Sequence, residues 1–182
     1  MAVLSNDYKE EQKNKVLASA LECFATKGYE AATIDDIVNH SGISKGSIYK
    51  LFKSKEEIYI QLMYRNTDEM YAEIRVILAK NTSALDKLIS VFTEYLDREL
   101  NPFILNSFLV QFETQLFASR KEDMMKIVEE IRLTRINIIS DVLREGIQNG
   151  EFKKEIDVDV FSELFWSFVD GAVTHKYLFP GY

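Results

Sequence analysis

The chain has 182 residues, 47% of them hydrophobic, and a net charge of −7, which describes an ordinary soluble globular protein with one substantial core and a small appendage. A single cysteine, Cys23, excludes an internal disulfide framework, and two isolated histidines cannot supply a His/Cys metal site. No apolar run approaches the ~18 residues of a membrane span, and the polar start MAVLSNDYKEEQKNK is unlike a signal peptide, so a cytoplasmic protein is expected.

The punctuation is uneven. Gly28, Gly42 and Gly46 fall close together, and the next glycine is Gly146. Between Ser47 and Glu145 only Pro102 interrupts helix-compatible sequence, whose apolar residues recur three and four apart. No alternating run, internal repeat or low-complexity segment is present, so the fold class is all-α.

The first helix is expected over about Tyr8 to Lys27, with Val16, Leu17, Ala20, Leu21 and Phe24 as its apolar stripe and Gly28 as a left-handed cap. Cys23 lies beside that stripe and reads as a small buried hydrophobe. The second helix starts at Thr33, where T-I-D-D resembles a capping box, and ends near Ser41-Gly42. His40, close to that end, reads as a surface residue. Ser44 then caps a third helix of about two turns, Lys45 to Phe52. Two short helices joined by a glycine-containing turn make a helix-turn-helix.

The stretch Ser41 to Lys55 holds Lys45, Lys50, Lys53 and Lys55 and no acid, which leaves −11 on the remainder of a −7 chain. At about 100° per residue, Ile48, Leu51 and Phe52 fall on one side of the third helix, to pack on Ile34, Ile37 and Ile43. Lys45, Gly46, Tyr49, Lys50 and Lys53 fall on the other. Lysine neutralises phosphate, tyrosine offers a hydroxyl and a ring, and glycine lets the backbone approach a groove closely. Ser44 and Ser47, at the helix start, can donate to phosphate or a base. A fourth helix opens at S-K-E-E, Ser54 to Glu57, with Glu57 expected to reach back to the Ser54 amide. Lys55 there opposes the helix dipole. Together with Thr33 at the second helix start, it is expected to grip DNA phosphate.

The run VLASALECFATKGYEAATIDDIVNHSGISKGSIYKLFKSKEEI resembles the N-terminal DNA-binding domain of the tetracycline-repressor (TetR) family of bacterial transcriptional regulators. Phe24, Lys27-Gly28-Tyr29, Thr33, Ile37, Gly42, Ser44-Lys45-Gly46-Ser47, Tyr49, Phe52 and Ser54-Lys55-Glu56-Glu57 carry the resemblance. Val38 and Ser41 depart from it, standing where the family commonly has alanine, and Leu51 stands where polar or aromatic residues are frequent. The resemblance implies a reader at residues 1-54 and an effector-binding and dimerisation domain at 55-182. It implies a homodimer on double-stranded, pseudo-palindromic operator DNA, released by a small effector.

Further helices are expected over Ser54 to Lys80, Ala84 to Leu100, Pro102 to Ser119, Glu122 to Asn149 and Val158 to Leu178, with Ser83, Asp157 and Gly150 as caps. Aromatic and methionine residues on the middle helices, Met63, Tyr64, Phe92, Tyr95, Phe108, Phe112 and Trp166, with Met70, Phe103 and Phe117 beside them, are candidates for a pocket that takes a small apolar or aromatic effector. For any single one of these, core packing outweighs ligand contact. Asn106, Gln111, Glu113 and Gln115 flank that stripe, and solvation outweighs ligand contact for each. Phe161, Leu164, Phe165, Phe168, Gly171, Ala172 and Val173 form a wide face on the last helix, a candidate dimer interface on which His175 is interfacial or exposed.

No catalytic residue and no cofactor are expected. Di-iron bundles need Glu-x-x-His pairs, yet Ile37 and Ala172 stand three residues before His40 and His175. Neither a Gly-rich phosphate loop nor a nucleophile elbow is present. The alternative is a helical ligand-binding or adaptor protein without DNA binding, which the basic stretch opposes.

Overall fold

A computed structural model describes residues 6–97, 102–118 and 122–179. Among them lie eight helices and no strand: α1 (Asn6–Lys27), α2 (Ile34–Ser41), α3 (Lys45–Leu51), α4 (Lys55–Lys80), α5 (Ala84–Asp97), α6 (Pro102–Ala118), α7 (Glu122–Gln148) and α8 (Val158–Leu178). The expected ends of two helices, at Leu100 and Ser119, lie outside the described residues, as do Met1 and Tyr182. The side chains of Phe103 and Phe117 lie outside them too.

Helix ends form where the sequence offers a local way to satisfy the last backbone groups. Gly28, Gly42 and Gly150 all take positive φ, of 78°, 68° and 77°. That conformation costs a side-chain-bearing residue and not glycine. At N-termini, Ser44 accepts from the Ser47 amide and Asp157 from the Val160 amide. Ser83 likewise accepts from the Asp86 amide at 3.0 Å.

The chain forms two compact units, one of residues 1–67 with 102–125, the other of 68–101 with 126–182. In the first, Val16, Leu17, Ala20, Leu21 and Phe24 of α1 are buried, as the stripe predicts, and Cys23 with them. Burial also pushes the Cys23 thiol pKa up, which disfavours the reactive thiolate. Phe24, Tyr29 and Tyr59 form an aromatic triangle with centroids 5.0 to 6.3 Å apart. This triangle joins the end of α1 to α4. Helix α6 packs along α1, where Asn106 donates to Glu22 at 3.0 Å and the Tyr29 amide donates to Glu113 at 3.4 Å. Those two residues therefore bond to the end of α1, which corrects the expectation that they are merely solvated.

The second unit packs α5, α7 and α8 with the C-terminal part of α4 around Tyr71, Ile74, Val91, Ile139, Leu143, Val169 and Val173. Ion pairs join α7 to α8: Arg132 to Glu163, and Arg135 to Asp170 at 2.7 Å. Lys87 of α5 meets Glu145 of α7 at 2.6 Å. A side chain at Gly146 has no room, because an added Cβ would come 2.3 Å from the Phe152 ring and 2.8 Å from the Ala84 methyl. Gly146→Ala is expected to destabilise the fold by about 1–3 kcal/mol, since the core must shift to admit one methyl. Denaturant unfolding checks this, and an unchanged midpoint would refute it.

Candidate nucleic-acid interface

An isolated seven-residue helix is far below the length that is stable in water, so α3 is held by what it buries. Ile48 is 0% and Phe52 1% exposed, against Ile37 at 0% and Ile43 at 6%. Leu51, expected to share this wedge, is half-buried, and Phe52 has left the helix for an extended conformation in which its amide caps the Ile48 carbonyl. The turn between α2 and α3 is tied by Ser41, itself buried, whose hydroxyl accepts from the Ile43 amide at 3.1 Å. This bond gives the departure from the family's common alanine a structural role.

With the wedge buried, Ser44, Lys45, Gly46, Ser47, Tyr49, Lys50 and Lys53 are all exposed, Tyr49 at 49%. Of the other two candidate residues, Thr33 is exposed and Lys55 half-buried. Gly46 has negative φ and nothing within 4 Å of where a Cβ would stand, so neither strain nor crowding within the chain requires glycine there. A glycine inside a helix costs about 1 kcal/mol relative to alanine, so the chain's own packing does not account for it.

The electrostatics of this face carry a restraint absent from the sequence reading. Asp35, near the start of α2, takes the Lys45 ammonium at 2.8 Å and raises its pKa. The Ser44 and Ser47 hydroxyls bond to each other at 2.9 Å. The Lys45 ammonium is thus paired with a carboxylate of its own chain.

The two expected phosphate grips have partners within the chain. The start of α2 already holds an anion of its own, since the Asp36 carboxylate accepts from the Thr33 amide at 2.9 Å and from its hydroxyl at 2.8 Å, and Thr33 accepts from the Asp36 amide. Lys27 closes the arrangement by donating to Asp36 at 2.5 Å. At α4, the Ser54 hydroxyl accepts from the Glu57 amide, but Glu57 reaches the Lys53 amide at 2.6 Å instead of that of Ser54. Lys55 points back into the first unit. Its ammonium donates to the carbonyls of Tyr29, Glu30 and Ala32 at 2.8 to 3.1 Å and lies 4.6 Å from the centre of the Tyr29 ring. With three donors and three carbonyl acceptors, Lys55 ties α4 to the α1–α2 turn.

The other candidate residues divide between the units. Met63, Tyr64, Phe108 and Phe112 belong to the first, where Met63 is core and Phe108 stacks on Phe112 with centroids 6.2 Å apart. Phe92, Tyr95 and Trp166 belong to the second, where Phe92 meets Phe165 at 6.1 Å and Tyr95 meets Trp166 at 5.7 Å. On α8, Phe161, Leu164 and Phe168 are 41%, 52% and 69% exposed and Gly171 opens on free space, whereas Ala172 is half-buried. Phe165 and Val173 are buried within their own unit, so they are removed from the candidate dimer face.

A short helix wedged by apolar residues on one side and presenting lysines, a tyrosine and an uncrowded glycine on the other defines a helix-turn-helix DNA-binding protein. The family model described as bacterial regulatory proteins, tetR family, matches residues 16–62, and that described as YsiA-like protein, C-terminal region, matches 64–178. The chain belongs to the tetR family of DNA-binding transcriptional regulators, and neither the family nor its relatives named below are enzymes. It is 28% identical to the uncharacterized HTH-type transcriptional regulator YfiR of Bacillus subtilis, over 97% of this chain and 85% of that one. To the fatty acid metabolism regulator protein of Bacillus subtilis it is 27% identical, over 88% and 80%. A solved structure of the transcriptional regulator FadR from Bacillus subtilis, in complex with stearoyl-CoA, shares the fold with a TM-score of 0.77 at 24% identity, over 93% and 89%. No helix of the described residues is long and apolar enough to cross a membrane.

The acid limb of stability follows from the α2 cap. Hydrogen bonds from Lys27, then from the Thr33 amide and hydroxyl, hold the Asp36 carboxyl down to about 2 from its ordinary 3.8. A carboxyl depressed on folding contributes stability above its unfolded pKa and loses it as pH falls through the folded value. Asp36→Asn is expected to lower the thermal midpoint at neutral pH and to flatten the loss of stability between pH about 4 and about 2. Thermal unfolding across that range checks it, and an unchanged acid limb would contradict the cap.

Proposed function

We propose that the chain is a cytoplasmic repressor that binds a pseudo-palindromic operator as a homodimer and leaves it when a small apolar effector binds. The observation that carries this reading is the division of α3 and the two residues after it into a buried Ile48 and Phe52 wedge and an exposed set of Lys45, Gly46, Tyr49, Lys50 and Lys53. Residues 1-54 read DNA and residues 55-182 sense and dimerise. Two copies of α3 enter successive major grooves about 34–36 Å apart, Tyr49 meets base edges, and the lysines neutralise phosphates.

Support for the dimer comes from α8. Val160, Leu164, Phe168 and Phe161 fall within one arc of the helix and are all exposed, and Gly171, without crowding of its own, leaves space for a facing backbone. Contiguous exposed apolar surface of this kind marks an interface. The effector we propose is a long-chain acyl compound. The aromatic groups in both units support an apolar ligand, and so do the relative named as a fatty acid metabolism regulator and the FadR structure that holds stearoyl-CoA. Ligand that binds the DNA-incompetent conformation better shifts the population away from DNA, and DNA weakens ligand by the same factor.

Tyr49→Ala and Lys50→Ala are expected to weaken operator binding while far-UV circular dichroism and thermal midpoint stay unchanged. Losing one phosphate contact in Lys50→Ala should also reduce the salt slope of binding by about 1. Fluorescence anisotropy with the chain's own upstream promoter DNA over a salt series measures both, and wild-type affinity in both variants would sink the reading face. Phe168→Glu is expected to yield a folded monomer with much weaker operator binding, read by sedimentation velocity. A variant that remains dimeric would remove α8 from the interface.

A further inference from the structure

Arg135 projects from α7 into the second unit and is 8% exposed, the only charged residue so enclosed among the described ones. The end-on edge of its guanidinium is committed to Asp170 of α8, with Nη2 donating to Oδ1 at 2.7 Å and Nη1 to Oδ2 at 3.3 Å. Its Cζ lies 4.3 Å from the centre of the Trp166 ring. That ring is fixed in turn, because its Nε1–H donates to the Arg135 carbonyl at 2.8 Å and Tyr95 and Phe165 meet it edge-on at 5.7 and 5.5 Å. The remaining polar atom, Arg135 Nε, is buried and has no hydrogen-bond partner.

Tying α7 to α8 needs only the end-on edge, which already meets Asp170. An enclosed Nε–H is desolvated without compensation, a state native proteins largely avoid. The edge of a guanidinium that contains Nε presents two parallel N–H groups, a fork matched to the oxygens of a carboxylate or phosphate. The Trp166 ring lies over the guanidinium, and the Tyr95 and Phe165 rings that meet Trp166 are surfaces suited to an apolar chain.

We infer that Arg135 Nε anchors the carboxylate or acyl carbonyl head of the effector, an amphiphile whose apolar tail lies against Tyr95, Phe165 and Trp166. This inference rests on the reading of the chain as an effector-released regulator. It assigns a protein partner to the head of the acyl compound proposed above. Asp170 holds the guanidinium in place, and the Nε edge selects ligands with an anionic or carbonyl head over plain hydrocarbons.

Trp166 is the chain's single tryptophan, so its fluorescence reports on this site. Full-length protein is titrated with dodecanoate, lauroyl-CoA and 1-dodecanol. Wild type is expected to bind at least one of the two headed probes at least about tenfold more tightly than the alcohol, since charge-assisted bonds to a buried guanidinium discriminate strongly. Whichever of the two responds identifies the head as a free carboxylate or as a coenzyme A thioester. Arg135→Lys keeps a cation for Asp170 but lacks the Nε fork, and should lose that preference while binding the alcohol within about twofold of wild type. Asp170→Asn retains the fork and should retain the preference. Parallel loss of all probes with the thermal midpoint in both variants would show a structural role only and overturn the anchor. Should Arg135→Lys fail to fold, the Arg135 Nε–H resonance of wild type decides: a shift on the headed probe and none on the alcohol supports the anchor, and no shift on either overturns it. If wild type binds none of the three probes, the acyl-effector reading falls with the anchor. If it binds them and Arg135→Lys matches it, the anchor alone falls.

Discussion

Helix α3 is too short to exist alone, and the first unit is organised around that constraint. Seven residues cannot offset the cost of helix nucleation, so Ile48 and Phe52 must be buried for Tyr49 and Lys50 to be displayed at all. Their burial needs Ile37 and Ile43 beneath them, which needs α2 to start and stop at fixed places. Hence the Thr33–Asp36–Lys27 arrangement at one end of α2 and Gly42 in the left-handed conformation at the other. Lys55 performs the same service one helix later, holding the turn between α1 and α2 by its carbonyls.

Much of this was legible in the sequence because it is local. Gly28, Gly42 and Gly150 marked helix ends, since a positive φ is a requirement of the residue itself. The two faces of α3 followed from its periodicity alone. What could not be read was the choice among partners brought together by folding. Lys55 finds its acceptors 23 to 26 residues earlier in the chain, and Glu113 meets Tyr29 across 84. No spacing rule connects such positions, so the charge of Lys55 and its place at a helix start gave no sign of these acceptors. At Thr33 the partner is near: the anion at the start of α2 is Asp36, three residues away, and the T-I-D-D pattern carried that signal.

The same distinction applies to apolar surface. Helical periodicity shows that α8 has a wide apolar face without showing which part its own unit covers. Phe165 and Phe168 are three positions apart on that face, yet one is 9% and the other 69% exposed. The difference is set by α5, which places Phe92 against Phe165 and leaves Phe168 uncovered. Arg135 is the converse case, a charge in a helix rich in charges, whose enclosure by Trp166 and Asp170 appears only in three dimensions.

The outward face of α3 contributes almost nothing to the core. Gly46 is uncrowded, Tyr49 is half exposed, and the inward work is done by other residues of the same helix. Substitutions at positions 45, 46, 47, 49 and 50 therefore cost little folding free energy. In evolutionary terms the face is free to drift. A duplicated copy of this gene could acquire a new DNA sequence preference through a few exposed changes, without first accumulating the stabilising substitutions that innovation inside a packed core demands.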